Sequence, residues 1–249
     1  MTVSMSRVSP PKAAELVANQ IRGAIARGEL VAEQRLAPQP DLAEQFDVSA
    51  PTMREALRIL ETEGLVRVQR GVKGGTIVQH PSLEAMSRQL GMYLQMSGAT
   101  ISDAYRARIV LEPGAVRLLA DNIEPEIIDE LESVVDTLEA TIDDPGEFAK
   151  HGARFHLLLL ERSGATSLAA LGQLITEIVQ RPIDTVVGRM SEKARRERGA
   201  AGVVVQRKLL KLLRAGDSAR AARFWQRHVE TQLTYLEELG IAEERLEFW

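Results

Sequence analysis

The sequence has no cysteine among its 249 residues. That excludes a disulfide framework, a thiolate metal site and a cysteine nucleophile. It also lacks any uninterrupted apolar run near the ~20 residues that a membrane helix needs. Met1 to Lys12 lack the apolar stretch of a signal peptide. Excess positive charge is missing too, since 31 Lys and Arg stand against 35 Asp and Glu for a net of −4. These absences leave the expectation of a soluble cytoplasmic protein with no membrane partner. Its length allows a sizeable core and two domains. The acidic total argues against nucleic acid only if the charge is evenly spread.

It is not evenly spread. Residues 1–80 hold 10 basic and 9 acidic side chains, a net of +1, while residues 81–249 hold 21 and 26, a net of −5. Arg54, Arg58, Arg67, Arg70 and Lys73 crowd into one stretch of the first part. Proline is scarce after Pro81, where only Pro113, Pro125, Pro145 and Pro182 occur. Short elements with tight turns are therefore expected first and long helices afterwards. The cut falls near Gln79-His80-Pro81-Ser82, dividing the chain into 1–80 and 81–249.

In the first part, Leu16, Val17, Ile21, Ala24 and Ile25 keep helical spacing up to Gly28. A second short helix fits Pro40 to Phe46. Ser49 is placed to cap a third, which runs to about Glu63 and stops at Gly64. On that third helix Met53, Leu57 and Leu60 share one face, and Ala50, Arg54, Arg58 and Glu61 another. Two alternating strands, Leu65–Arg70 and Thr76–Gln79, flank the turn Gly71–Gly75 and read as a hairpin. This is the order of a winged helix-turn-helix, whose third helix enters the major groove. Arg54 and Arg58 taken alone fit a solvated face beside glutamates equally well. The Gly-rich turn alone fits an ordinary hairpin loop. It is the combination that points to DNA.

Val48-Ser49, Pro51-Thr52, Arg54-Glu55-Ala56-Leu57 and Glu63-Gly64-Leu65 resemble the DNA-binding domain of the GntR superfamily of bacterial transcription regulators. The resemblance runs from about Leu16 to Val78. It implies DNA contacts at Ser49, Thr52 and Arg54, with Gly71 at the wing tip. Arg58, Arg70 and Lys73 would add phosphate contacts, which position the protein without specifying sequence. Ala50 and Pro40 stand where the family commonly has arginines that contact DNA. Each lost arginine–guanine pair removes about 1–3 kcal/mol of discrimination, so the operator is expected to differ from that of relatives carrying both.

After Pro81 the pattern is helical. Candidate helices are Leu83–Met96, Ile101–Asn122, Glu126–Ile142, Glu147–Arg162, Ser167–Val187, Val203–Ala215 and Ser218–Leu239. Pro113 and Pro182 are expected to kink or break two of them. The charged, small-residue segment Ser191–Gly202 reads as a helix end or mobile loop. The closing Phe248-Trp249 pair is expected to pack on the body or on a partner subunit. The fold class is mainly α, with three helices and a β-hairpin followed by an all-α antiparallel bundle.

Arg108-Ile109-Val110-Leu111-Glu112, Phe155-His156, Arg214-Ala215-Gly216-Asp217 and His228 resemble the FCD domain of the FadR branch of GntR regulators. Many such domains hold a divalent metal through one aspartate and three histidines. The matching positions here are Gly152, His156, Gln206 and His228, so two of the four ligands are replaced. His151 lies about 140° around a helix from His156 and does not substitute. No cofactor and no tight metal are expected. The resemblance implies an effector site at Arg108, His156, Gln206 and His228. Arg108 either anchors an effector carboxylate or pairs with Glu112 one turn on. The two histidines either contact a ligand or hydrogen-bond within the core.

Together these readings predict a homodimer on a double-stranded, pseudo-palindromic operator. A small carboxylate or acyl thioester in the helical domain would modulate its affinity. Two rivals remain: an architectural DNA-binding protein without an effector, and an enzyme built on the helical half. The enzyme lacks a nucleophile motif and the paired Glu-x-x-His motifs of di-metal bundles.

Overall fold

The structure, a computed structural model, describes residues 13–69 and 74–247, apart from the side chains at 181, 182, 186, 187 and 189. Arg70, Gly71 and Lys73 of the hairpin tip and the Phe248-Trp249 pair lie outside the described residues. The chain divides into two compact units, the first ending at Ser82 and the second starting at Leu83.

The first unit holds α1 (Ala13–Ala26), α2 (Gln39–Gln45), α3 (Ala50–Thr62), β1 (Val66–Gln69) and β2 (Gly75–Val78). On α1 the stripe turned inward is Ala14, Val17, Ala18, Ile21 and Ile25. Leu16, expected on that stripe, is 50% exposed instead. It sits about 100° from Val17 and off the line that its neighbours bury. Helix α3 starts where Ser49 accepts a hydrogen bond from the Thr52 backbone N–H at 3.3 Å, which satisfies one of the free donors of the first turn. Gly64, at φ +71, ends it in the left-handed region. Met53, Ala56, Leu57 and Leu60 are buried against α1 and α2. The strands pair antiparallel in the register Val66↔Val78 to Gln69↔Gly75. Arg35 adds a bridge to Ile77, and the Leu36 N–H donates to the Thr76 carbonyl at 2.9 Å. The hairpin therefore gains a short third edge that local pattern did not reveal.

The second unit, among the described residues, is helical: α4 (Leu83–Met96), α5 (Ile101–Asp121), α6 (Pro125–Ala140), α7 (Pro145–Glu161), α8 (Thr166–Arg189), α9 (Glu192–Arg214) and α10 (Ser218–Glu238). Thr100 and Asp103 form a capping box at the start of α5. The chain after α10 returns to the same end, where Glu244 and Ala242 carbonyls accept from the Ile101 and Ser102 N–H groups at 3.1 and 2.8 Å. Leu119, Leu131, Phe155, Leu158, Leu209 and Trp225 belong to one buried core.

Two expectations are corrected. Pro113 and Pro182 interrupt neither α5 nor α8. For α5, packing along α10, α8 and α7 outweighs a local cost of about 3 kcal/mol. Ser191–Gly202 is not a helix end or loop either. Ser191 caps α9 by accepting from the Ala194 N–H, and the helix runs from Glu192. Without a tertiary partner its glycines and charges read as coil, but Gly199 is buried against Ile142, in the turn after α6, and Phe148 of α7.

Candidate functional site

The first unit presents the outward face of α3. Arg54 and Arg58 are exposed there, opposite the buried Met53–Leu60 stripe. Arg58 is held by Glu55, with Nη2 to Oε1 at 2.7 Å and Nε to Oε2 at 2.9 Å. Both partners are largely solvated, so this pair is weak and can yield to a phosphate. Ser49 and Thr52 cap the helix and share a 2.8 Å hydroxyl contact. All four expected contact residues in this helix region thus belong to one cap and one exposed face.

The second unit contains a cavity of about 170 Å³, a size at which a benzene-sized molecule is accommodated (about 150 Å³ suffices). Arg108, His156, Gln206 and His228, from α5, α7, α9 and α10, all line it, as does Gly152. The side chains named as the effector site are therefore brought together. What they do there depends on a residue behind them, Glu112.

Glu112 is 1% exposed and joins three elements. Its Oε1 accepts from Arg108 Nε at 2.6 Å, and its Oε2 accepts from Trp225 Nε1 at 2.8 Å and lies 2.7 Å from His156 Nδ1. Burial alone would raise its pKa, but Arg108 and His156 outweigh that and hold it well below the usual carboxylate range. The salt bridge weighed for Arg108 is thus present and buried. Arg108 spends its charge on Glu112 and is not the free anion anchor of the cavity.

Glu112 and Arg108 together hold the His156 ring, whose Nδ1 lies 2.7 Å from both Glu112 Oε2 and Arg108 Nη2. Burial lowers the His156 pKa despite the pull of Glu112. His228 is lowered too, to about 3, by burial and then by His156. Both rings are therefore neutral near pH 7. The Gln232 amide donates to His228 Nε2 at 2.9 Å. The two rings stack, 6.0 Å apart and 16° from parallel.

The residues present do not fit a divalent ion. Gly152 offers no donor, and Gln206 offers an amide where a histidine would be needed. The two histidine rings lie near parallel with their centroids 6.0 Å apart. No cluster of three or more His, Asp or Glu side chains that could hold a metal occurs among the described residues.

Sequence reasoning missed two lining residues, Arg195 and Arg198 of α9. Arg195 Nε is buried without a hydrogen-bond partner among the described residues. Arg198 is exposed as a residue, but its guanidinium lies over the Tyr235 ring at 3.4 Å from the centroid, and burial lowers its pKa. Neither makes an ion pair among the described residues. Among the described residues no acidic side chain lines the cavity. The sequence held a signal, since 195, 198, 199, 202 and 206 fall on one helical face, but it is readable only once α9 is known to start at Glu192.

Comparison with known proteins supplies the remaining observations. Residues 103–231 match the FCD domain, and residues 13–78 match the family described as bacterial regulatory proteins, gntR family. The HTH-type transcriptional repressor NanR of Klebsiella aerogenes is 30% identical over 173 residues, covering 66% of this chain and 65% of that protein. The NanR repressor of Cronobacter sakazakii is 28% identical over 157 residues, covering 61% and 59%. The match thus spans less than two thirds of these relatives' lengths. A solved structure described as Streptococcus agalactiae GntR has a TM-score of 0.68 at 24% identity, covering 88% of this chain and 98% of that one. That is a likeness of fold. No helix among the described residues is long and apolar enough to cross a membrane.

Proposed function

Because the chain belongs to the GntR family of bacterial regulatory proteins, in the group with an FCD domain, we propose that it is a ligand-responsive, DNA-binding transcription regulator. It acts in the cytoplasm as a homodimer on a pseudo-palindromic operator. Ser49, Thr52 and Arg54 contact DNA from the α3 face, with Arg58, Arg70, Gly71 and Lys73 at the flanking backbone. One small head offers limited area, and a two-fold pair doubles it. The NanR relatives are named as repressors, which supports repression as the direction of control.

The observation that carries the sensing half is the cavity itself: among the described residues three arginines line it and no acid does. Arg108 is neutralised from behind by Glu112, while Arg195 and Arg198 are left without an anion. Of the two effector classes, the volume favours a small carboxylate over an acyl thioester with its carrier. The cavity binds rather than turns over its ligand, because Glu112 does not line it and has its oxygens taken by three neighbours.

Footprinting with the full chain on DNA upstream of its own gene tests the reading. A defined two-fold site should be protected, with affinity at least about 10³-fold above random duplex. Equal affinity for random duplex at moderate salt would overturn it.

A further inference from the structure

Along α9 the residues that face the cavity are Arg195, Arg198, Gly199, Gly202 and Gln206. They form one stripe with a polarity gradient. At the N-terminal end the groups are donors only, namely the unpartnered Nε of Arg195 and the Arg198 guanidinium. At the other end Gln206 is 5% exposed, and its Oε1 is a buried acceptor with no partner among the described residues. His156, from α7, also lines the cavity. Arg198 and Gln206 are eight residues apart, about 12 Å along the helix axis.

The middle of the cavity is vacant by construction. A Cβ placed on Gly152 or on Gly202 would meet no atom within 4 Å. Phe148, Leu138 and Ile183 supply apolar lining. An unpartnered cationic donor at one end and an unpartnered amide oxygen at the other describe a particular kind of guest.

We propose that the cavity takes an elongated, two-ended acid. Its carboxylate is held by Arg195 and Arg198, and a hydroxyl or amino group at its far end donates to Gln206 Oε1. This rests on the reading of the helical domain as the effector site and specifies its ligand class. A plain fatty acid leaves the Gln206 oxygen unpaired. A dicarboxylate places a second anion against that oxygen, and it is rejected more strongly.

The test uses the full chain and acids of equal length that differ only at the far end. Hexanoate, 6-hydroxyhexanoate, 6-aminohexanoate and adipate form one series. Butyrate, 4-hydroxybutyrate, 4-aminobutyrate and succinate form another. Calorimetry and the shift in melting temperature give the affinities. At the better-fitting length, the hydroxy or amino acid should bind about ten-fold more tightly than the plain acid, with the diacid weakest. Gln206→Met, close in volume, should reduce that preference to within two-fold. Arg195→Gln and Arg198→Gln should each weaken every acid about ten-fold or more.

If plain and hydroxy acids bind equally, or the diacid binds best, the two-ended ligand is wrong while the cavity remains an acid site. A preference that survives in a folded Gln206→Met protein removes Gln206 from the assignment. If the Met protein does not fold, the ranking on the unaltered chain still decides the ligand class. If no acid in either series binds, the small-acid reading of the effector site falls, and this inference with it.

Discussion

Glu112 sets the chemistry of its surroundings through three hydrogen bonds and one ion pair. Glu112→Gln removes the anion and leaves Arg108 charged, buried and uncompensated. Breaking a buried pair in this way costs about 3–5 kcal/mol, which a denaturant titration should show as a lowered midpoint. A loss under about 1 kcal/mol would mean that water reaches Arg108. The histidines make a second test, through pH. The His228 pKa in the fold is about 3, against about 6.5 when unfolded. Between those values the unfolded chain binds a proton that the folded one does not. Stability is therefore full above pH 6.5 and falls as pH drops toward 3, at about 1 kcal/mol per pH unit for one such group. His228→Phe should flatten that decline between pH 6.5 and 5, and an unchanged slope would place the titration elsewhere. The Arg108–Glu112 pair was legible in the sequence, because i,i+4 spacing suggests it. Closure of the network by His156 and Trp225, 44 and 113 positions from Glu112, was not, since no local spacing encodes it.

Helix α9 shows where pattern reading stops. Its last part, from Val203, carries a regular apolar stripe and was expected; its first part holds charges and glycines and was not. Stability there comes from contacts that only the folded bundle provides. Gly199 lies where an added Cβ would come within 2.9 Å of Ile142 and 3.1 Å of Phe148. Gly152, midway along α7, would meet nothing. The same substitution should therefore have opposite signs at the two sites. Gly152→Ala should stabilise by about 0.5–1 kcal/mol, because alanine loses less freedom in a helix. Gly199→Ala should destabilise by about 1–3 kcal/mol through overpacking. Denaturant midpoints of the two proteins check this, and two shifts of the same sign would contradict the geometry. The hairpin, by contrast, was legible from its alternation and its glycines. Only the Arg35–Ile77 bridge escaped, because a single extended residue leaves no periodic trace.

For the whole molecule, the total charge of −4 conceals an acidic second part and a near-neutral first part with its basic side chains concentrated around α3 and the hairpin. On the proposed function, one chain must link two ligands, an operator and an acid. Linkage is reciprocal for equilibrium binding: if the acid weakens operator affinity by some factor, the operator weakens acid affinity by the same factor. Typical couplings of about 1–3 kcal/mol correspond to roughly 5–150-fold. Operator affinity should be measured with and without a saturating acid that binds the full chain, and acid affinity with and without saturating operator. The two ratios should agree and exceed about five. Arg198→Gln should leave acid-free operator binding unchanged, because the residue lines the helical cavity, and should move the acid response to higher concentration. A ratio of one in both directions, with both ligands bound, would leave an acid-binding protein and a DNA-binding protein sharing a chain without communication. The regulatory part of the proposal would then be lost even with every contact at both sites intact.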